Sequence, residues 1–435
     1  MNRDATGDGG FATRSIHGGQ RRSAEGGKSQ HRALAPPLFQ TVAYEFPDAE
    51  YAAALYALAS EDDIYTRISN PTVRLLERRL ASLEGGVDAV ATASGMAAFD
   101  ALVLVLAEAG NNVVTASSIY GGTSAYLERT ASRRGIESRF VDTLAYDEYD
   151  DAVDDDTAFV HLETIGNPSL VTADLARIAD IAHDHGVPLV VDNTFATPAL
   201  CRPLEHGADV VWESTTKWLH GAGTTVGGVV VDGGTFPWAD HDYPEVGAPN
   251  PAFHGTNFSE RFGERALAAA VRQRGVRSLG SCQSPFDAWV TLQGLQTLSL
   301  RMRRHSETAR LVADFLSTHP AVEWVSYPGL ADHETHEEAS NYLDGGYGGM
   351  IAFGLEGGYE AGKRFCESVG LAVFAANVGD ARTHVIHPAS TTHAQLSPEG
   401  QLAAGVTRDL VRLSVGLEAP DDVLRDVELA IEEAT

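Results

Sequence analysis

Short apolar runs alternate with helix-like stretches from about residue 70 onward, and this alternation constrains the fold more than any other feature. Amphipathic stretches, such as 70–85 and 172–186, lie between several of the runs. Strands that alternate with helices form βαβ units around a mostly parallel sheet. We therefore predict an α/β domain whose seven strands lie at 87–92, 111–116, 138–142, 158–163, 187–192, 208–213 and 227–232.

The length of the chain, 435 residues, predicts two or three domains. Residues 1 to about 30 are rich in Gly, Ser, Asp and Arg, which indicates a mobile or extended arm, and 233–260 has the composition of a long loop. A helix-rich run from about 284 precedes mixed strands and a last helix, at 323–328, 349–355, 371–375, 409–417 and 421–434. This order is typical of a smaller α+β domain. We place the boundaries at 1–69, 70–283 and 284–435.

The chain is strongly acidic and poor in lysine. Sixty acidic residues against 32 basic ones give a net charge of −28, and the only lysines are Lys28, Lys217 and Lys363. This charge disfavours binding to nucleic acids. An acidic, lysine-poor surface resembles that of proteins from salt-loving organisms, in which salt screens the self-repulsion. An ordinary acidic protein is the alternative.

Other classes of protein lack support in the sequence. No run approaches 18 apolar residues, so we expect no membrane span, and the first residues lack the apolar segment of a secretion signal, so we expect a cytoplasmic protein. The three cysteines, Cys201, Cys282 and Cys366, are too scattered for a disulfide framework or a zinc site. The histidines follow no zinc-binding pattern, and we interpret these as structural: His183, His185, His384, His387 and His393.

Lys217 stands in an apolar setting just after a predicted strand that ends at Glu213. Ser214 and Thr216 lie between them, at alternate positions. An amine that forms imines must be partly unprotonated, and apolar surroundings lower the pKa of a lysine. A surface lysine is the alternative, although the chain carries Arg at nearly all other basic positions. We predict that Lys217 is a reactive amine.

Two more strand ends could hold a phosphorylated heterocycle. Asp192 ends a wholly apolar strand, where a carboxylate could keep a pyridine nitrogen protonated; a turn or capping Asp is the alternative. Residues 91–110 combine a Gly-containing turn with an apolar helix. Because the N–H groups at a helix N-terminus bind phosphate, Ser94, Gly95 and Met96 could form a phosphate site, or else an ordinary N-cap.

A tyrosine and an asparagine follow the strands that remain. Tyr120, in SSIYGGT (117–123), could stack on a flat cofactor. Asn167, in ETIGNPS (163–169), could bond a ring hydroxyl. Each signal is weak alone. Five such signals at consecutive strand ends indicate one ligand site.

Together these segments resemble the Cys/Met-metabolism family of enzymes that depend on pyridoxal phosphate (PLP). The resemblance runs from about residue 11 to the C-terminal helix, and the matching motifs are YTRISNPT, SGMAA, SIYGGT, ETIGNPS and STTKW. It implies the aspartate-aminotransferase-like fold type I, with PLP held as a Schiff base on Lys217. It also implies that Asp192 pairs with the pyridine nitrogen, that Tyr120 stacks on the ring and that Asn167 lies near the ring oxygen. The phosphate would be held by Ser94, Gly95, Met96, Ser214 and Thr216.

The resemblance also implies a site shared between subunits. In this family Tyr65 and Arg67 reach the phosphate of a neighbouring subunit, which predicts at least a dimer and most simply a homotetramer. Arg412, in DLVRLSVGLE, would bind the α-carboxylate of an amino acid, since a guanidinium binds a carboxylate through two hydrogen bonds. Without the motif, Tyr65 would be interpreted as an ordinary loop residue, and Arg67 and Arg412 as solvated arginines. The chain departs from many members at Ala222, where they have His, so the loop beside the lysine should differ in shape.

Within the family, three features resemble the O-acylhomoserine sulfhydrylases. Residues 374–396 carry the ANVGDA form of those enzymes and not the SLGG form of cystathionine enzymes, and we expect Asn377 there, with Tyr65, to contact the substrate. The second feature is the long loop at 233–260 together with the overall length, since sulfhydrylases are longer than the lyases. Gly122 is the third, because methionine γ-lyases typically carry a cysteine there. The implied substrates are an O-acylhomoserine and sulfide or a thiol.

Four alternatives remain open at this level. Cystathionine γ-synthase and the γ-lyases share the same cofactor contacts, and a non-catalytic PLP-fold binding protein would share the fold. A NAD-linked oxidoreductase has little support. The sequence GAGTTVGG (221–228) imitates a dinucleotide fingerprint, but its spacing is wrong, it follows the lysine motif, and no acidic residue follows at the expected distance within a βαβ frame.

Overall fold

Seven strands form the larger sheet of the protein. The computed structural model describes residues 9–19, 33–395, 397–403 and 405–435. The strands are β1 (Asp88–Thr92), β2 (Asn112–Ala116), β3 (Glu137–Val141), β4 (Thr157–Glu163), β5 (Leu189–Asp192), β6 (Val210–Glu213) and β7 (Gly228–Asp232). Their order in the sheet is β1-β7-β6-β5-β4-β2-β3, and only β7 runs antiparallel to its neighbours. All seven predicted strands are confirmed to within two residues at each end.

Helices cover this sheet and precede it. In chain order they are α1 (Phe11–His17), α2 (Ala49–Tyr56), α3 (Pro71–Glu84), α4 (Gly95–Leu106), α5 (Gly121–Ala125), α6 (Tyr146–Ala152), α7 (Leu175–Asp184) and α8 (Thr197–Leu200). The two helices predicted at 70–85 and 172–186 are confirmed as α3 and α7. α3 begins after Asn70, whose side chain accepts from the Thr72 N–H, and it ends at Gly85 in the left-handed conformation. α4 begins after Ser94, which caps it in the same way.

Residues 233–260, predicted as a loop, contain short elements. They are α9 (Pro244–Gly247), the two-residue strands β8 (Pro249–Asn250) and β9 (Thr256–Asn257), a 3-10 turn between them (Pro251–Phe253), and the start of α10 (Phe258–Phe262). Four further helices follow, α11 (Ala266–Ala270), α12 (Arg277–Leu279), α13 (Pro285–Leu295) and α14 (Leu298–Thr318). The long loop is therefore better described as a chain of single turns.

A second sheet of five strands lies in the C-terminal part. Its strands are β10 (Val322–Ser326), β11 (Met350–Leu355), β12 (Val373–Phe374), β13 (His384–Ile386) and β14 (Leu410–Ser414), in the order β10-β11-β14-β13-β12. The helices of this part are α15 (His336–Tyr342), α16 (Gly358–Ser368), α17 (Pro398–Ala403) and α18 (Pro420–Ala434). The predicted α+β character is confirmed, but β13 was not predicted.

α14 belongs to both hydrophobic cores. Leu298 and Met302 pack in the core of the larger sheet, whereas Val312 and Leu316 pack in the core of the smaller one. The cores therefore meet within this helix. The domain boundaries given above stay a prediction.

The N-terminal arm differs from its prediction where the structure describes it. Residues Phe11–His17 are helical, and two arginines tie this helix to α3. Arg14 Nη1 donates to the carbonyl of Ser82, and Arg79 Nε donates to the carbonyl of Gly18 at 3.1 Å. Lys28 and the remainder of the arm, 1–8 and 20–32, lie outside the described residues. Among the helices of the described ranges, none is long and apolar enough to cross a membrane.

Candidate active site

A cavity of about 1230 Å³ opens at the carboxyl ends of the parallel strands. This edge is where open α/β sheets bind ligands, because the loops that follow the strands converge there. The cavity brings together eleven of the residues predicted from the sequence: Ser94, Gly95, Met96, Tyr120, Asn167, Asp192, Ser214, Thr216, Lys217, Asn377 and Arg412. Tyr65 and Arg67 do not line it.

Lys217 lies in the turn that follows β6. Its Nζ donates to Asn377 Oδ1 at 3.1 Å. Burial, together with the positive charge of Arg412, lowers the pKa of the Lys217 amine. A lowered pKa raises the fraction of neutral amine, the form that can attack a carbonyl or accept a proton.

Asp192 is a buried carboxyl at the end of β5. Its Oδ1 accepts from the Thr194 N–H at 2.9 Å, and burial raises its pKa to about 7. Asp192 forms no ion pair with a cation of the described residues. A buried carboxylate without a partner is costly, so this position favours a ligand that carries a positive charge to it.

The N-terminus of α4 forms one wall of the cavity. Ser94 Oγ accepts from the Ala97 N–H at 3.1 Å, and the N–H groups of Gly95 and Met96 are among those that a helix leaves without an internal partner. A Cβ atom on Gly95 would lie 2.9 Å from Cβ of Ser214. The missing side chain therefore lets the helix end and the Ser214 turn approach each other, which leaves a cradle for a small anion.

Arg412 and Asn167 meet on the opposite side. Arg412 Nη1 donates to Asn167 Oδ1 at 3.0 Å. The guanidinium is half-buried on β14, and burial lowers its pKa to about 10, so it remains charged at neutral pH. Tyr120 is 48% exposed, and its ring contributes to the rim. A cation at the inner wall and an aromatic ring at the rim suit a flat ligand with a carboxylate.

Residues 12–432 match the sequence model of the family described as Cys/Met metabolism PLP-dependent enzyme. The chain belongs to this family. It is 45% identical to an O-acetyl-L-homoserine sulfhydrylase of Leptospira meyeri, with 96% of each chain covered. It is 47% identical to O-acetyl-L-homoserine sulfhydrylase 1 of Thermus thermophilus, over 91% of this chain and 94% of the relative.

A solved structure is also similar. It is described as a putative O-acetylhomoserine (thiol)-lyase from Campylobacter jejuni and contains a pyridoxyl-lysine phosphate. The two structures superpose with a TM-score of 0.93 at 37% identity, over 98% of this chain and all of the other. The family and this fold together make the protein a PLP-dependent enzyme of fold type I.

The residues of the cavity fit pyridoxal phosphate. The cradle beside Gly95 suits its phosphate, the unpaired Asp192 suits a protonated pyridine nitrogen, and Lys217 supplies the amine for its aldehyde. One predicted contact differs in detail. The Thr216 hydroxyl donates to the Gly227 carbonyl at 3.2 Å and accepts from the Gly227 N–H at 3.1 Å, so it already has backbone partners.

The residues that line the cavity without having been predicted to do so include Glu163, Thr194, Trp212 and His393. Glu163 ends β4, and its Oε1 accepts from the Tyr120 N–H at 2.6 Å. Trp212 Nε1 donates to the buried His161 at 3.3 Å, which fixes the indole in the floor. The acidic strand end at Glu163 was visible in ETIGNPS and could have been singled out.

His393 corrects the interpretation of the histidines as structural. It lines the cavity, and its Nε2 would lie 3.3 Å from a Cβ atom added to Gly121. Burial lowers its pKa, as does the charge of Arg412, so the imidazole is neutral near pH 7. The other four histidines do not line the cavity; His387, for example, is held by Ser390 Oγ and the Arg408 carbonyl.

The loop beside Lys217 is held by arginine contacts to its main chain. Arg301 Nη1 donates to the Trp218 carbonyl at 2.6 Å, and its Nη2 donates to the Leu219 carbonyl at 3.1 Å. Ala222 is the position at which the chain departs from many family members, and its carbonyl accepts from Arg382 Nη2 at 3.5 Å. Among the residues that the structure describes, no contact that holds this loop requires a side chain at position 222.

Proposed function

We propose that this enzyme replaces the γ-acetoxy group of O-acetylhomoserine with sulfide and so forms homocysteine and acetate. The observation that carries the proposal is the similarity, over nearly the full length, to relatives named O-acetyl-L-homoserine sulfhydrylase. A homocysteine synthase of Schizosaccharomyces pombe, 44% identical over 98% of both chains, supports it as well. The cavity contains the groups that this chemistry needs.

The chain's own residues divide the work. Arg412 binds the α-carboxylate of the amino acid, because a guanidinium and a carboxylate form two parallel hydrogen bonds. Lys217, with a free Nζ, would take the α-proton of the bound substrate and return a proton further along the chain of the substrate. Asn377 Oδ1, 3.1 Å from Nζ, keeps that amine oriented in the cavity. PLP, when bound, supplies the electron sink that makes the α-proton acidic.

Asp192 keeps the pyridine nitrogen protonated in this scheme. Its burial means that the ion pair forms away from water, where it is strong. Tyr120, which lines the cavity, stacks on the pyridine ring in this scheme. Acetate is a tolerable leaving group, so no metal ion is required.

The test is an assay of the purified enzyme with O-acetylhomoserine and, in separate reactions, sulfide, methanethiol or cysteine. We expect homocysteine and acetate with sulfide, identified by mass. Cystathionine as the preferred product, with cysteine as donor, would make the enzyme a cystathionine γ-synthase. 2-Oxobutanoate and ammonia would indicate a γ-lyase. O-Succinylhomoserine and O-phosphohomoserine serve as controls for the acyl group.

We also propose that the active site is shared between two subunits of a homotetramer. The support is the position of Tyr65 and Arg67, which lie outside the cavity of their own chain although they match the family's phosphate-binding motif. Tyr65 is 39% exposed, and the Arg67 guanidinium lies 5.4 Å from its ring centroid. Arg67 Nη1 also donates to the Arg277 carbonyl. This places both side chains together at the surface, where a second subunit could receive them.

Mixing of two inactive variants tests this arrangement. Arg67→Ala and Lys217→Ala subunits together should recover activity, because one site of each mixed dimer then has both wild-type residues. Subunit exchange must be verified by mass, and sedimentation gives the oligomeric state. Fully active monomers, or no recovery despite proven exchange, would contradict a shared site.

We further propose that the protein works in high salt. The support is the net charge of −28, with only three lysines in 435 residues. Salt should screen the repulsion between acidic side chains and favour assembly. The unfolding temperature and the sedimentation coefficient should both rise between about 0.1 M and 2 M KCl, since the Debye length falls from about 10 Å to below about 3 Å. Equal values at both concentrations would contradict salt adaptation.

A further inference from the structure

Two buried glutamates that do not line the cavity lie at the ends of elements next to it. Glu84 is the last residue of α3 and Glu213 is the last residue of β6, and both are 0% exposed. Glu84 Oε1 accepts from Asn193 Nδ2 at 2.8 Å. Within the described ranges, no N–H or O–H group donates to Glu84 Oε2 or to either oxygen of Glu213. Asn193 connects the two glutamates, because its side chain donates to Glu84 and its N–H donates at 3.0 Å to the carbonyl of Trp212, the residue before Glu213. A side-chain hydrogen bond between the two carboxyl groups acts on the pKa of each.

A hydrogen bond between two carboxyl groups requires a proton. An ionised carboxylate has acceptors only, so two carboxylates in contact would repel each other and leave both charges buried without a partner. Both members of the pair therefore resist ionisation. Burial raises the pKa of Glu84 to about 8, and burial together with the charge of Glu84 raises the pKa of Glu213.

The surroundings offer little compensation for a second charge. Asp192, on the neighbouring β5, adds a negative charge to the field at Glu213. Arg202 and Glu205 act on Glu84 with opposite signs, and they pair with each other at 2.8 Å. Cys201, whose carbonyl accepts from Asn193 Nδ2, presents a buried thiol whose own pKa is raised by burial. The pair is thus favoured with at least one proton near neutral pH.

We propose that Glu213 keeps its proton and donates it to Glu84, so that the pair fixes the end of β6 to the end of α3 and positions the turn that carries Ser214 and Lys217. Glu213 is a positioning residue in this view, since it contacts neither cofactor nor substrate. The sequence places it one residue before the phosphate cradle and four before the reactive amine. Loss of the proton in alkaline solution would separate the two carboxylates and displace the turn.

The test uses Glu213→Gln, which replaces the titrating donor with a permanent N–H donor. The first readout is the unfolding temperature of the cofactor-free protein in high salt, from about pH 6 to about pH 9. The folded-state pKa values lie above the ordinary value of 4.5, so the stability they contribute is present in acid and is lost as the pH rises towards about 8. We expect the stability of wild type to fall over this range. The stability of the variant should fall less steeply, because its folded state holds about one proton fewer, relative to the unfolded state, than that of wild type.

Glu77→Gln is the matched control. Glu77 is also 0% exposed and also lies on α3. Burial acts to raise the pKa of Glu77, but the positive charges of Arg272 and Arg74 outweigh this effect and lower the pKa. Arg272 Nη2 contacts Glu77 Oε2 at 3.0 Å, so the glutamate is held ionised. This control should be less stable than wild type throughout, with an unchanged alkaline slope.

The second readout is the pH profile of kcat/KM for the PLP-loaded enzyme. Its alkaline limb should move to higher pH in Glu213→Gln and stay in place in Glu77→Gln. Glu84→Gln is the reciprocal variant, since its amide can accept from Asn193 and donate to Glu213, and it should behave as Glu213→Gln does. A wild-type slope in both Glu213→Gln and Glu84→Gln, or loss of stability at every pH as in the control, would overturn the proposal. The cofactor-free readout does not depend on which reaction the enzyme catalyses.

Discussion

Asp192→Asn should inactivate the enzyme and yet stabilise the protein without its cofactor. The buried carboxyl has a pKa of about 7 when folded against an ordinary value of 3.8. Because the pKa of Asp192 is raised in the folded state, its contribution to the free energy of unfolding is fully present below about pH 4. That contribution is lost as the pH rises through about 7. At about 1.4 kcal/mol per pKa unit, the burial of this charge costs about 4 kcal/mol at pH 8.

Asparagine removes that cost and retains most of the local geometry. Its side-chain oxygen can still accept from the Thr194 N–H, as Asp192 does at 2.9 Å. Weakening of the remaining contacts costs about 1 kcal/mol. The cofactor-free variant should therefore be more stable than wild type by about 3 kcal/mol at pH 8, and by about 1 kcal/mol at pH 5, where the charge is smaller.

Urea unfolding of both cofactor-free proteins in high salt, at pH 5 and pH 8, measures these differences. Addition of PLP gives a second comparison, because only wild type gains an ion pair with the pyridine nitrogen. The gain in unfolding temperature on loading should be smaller in the variant, and kcat should fall by several orders of magnitude. A variant that is less stable than wild type at pH 8 would refute the account of Asp192 as a buried charge that awaits a partner.

Three other variants and one control variant test the site. Lys217→Ala should lose turnover and the visible absorption of the bound cofactor, and borohydride should label Lys217 in wild type; Lys363→Ala, at an exposed ion pair, should leave both unchanged. Arg412→Lys should raise KM for the amino acid by about 10- to 100-fold, because an ammonium cannot form the paired hydrogen bonds of a guanidinium; an unchanged KM would move the carboxylate site elsewhere. Gly95→Ala should weaken PLP binding in equilibrium titration, because the new methyl group would lie 2.9 Å from Cβ of Ser214.

The larger sheet and most of the site could be predicted because each depends on local sequence. Buried parallel strands are continuous apolar runs, and the residue after each run falls at the same edge of the sheet. Asp192, Lys217 and Asn167 were found in this way. Arg412 and Asn377 come from the other sheet, and their place in the cavity followed from the family resemblance and not from the pattern of the chain.

What could not be predicted depends on contacts between distant residues. β13 has three residues, too few for a periodic pattern, and its pairing with β14 defines it. α1 lies among Gly-rich residues and is held by Arg14 and Arg79 through contacts to α3. The contact between Glu84 and Glu213 joins residues that are far apart in the chain, and no local signal marks either as protonated.

The position of β7 has a consequence for how the protein folds during synthesis. Within the described part of the chain, β1 pairs in the sheet with β7 alone, and Ala89 lies opposite Val231, about 140 residues later in the chain. Until β7 has left the ribosome, β1 lacks this partner strand, and the helix that follows it, with Gly95 at its start, lacks its packing against β7. Non-local pairing of this kind slows folding and exposes strand edges in the nascent chain. We therefore expect cofactor capture to be a late event, after most of the larger sheet has formed around β4, β5 and β6.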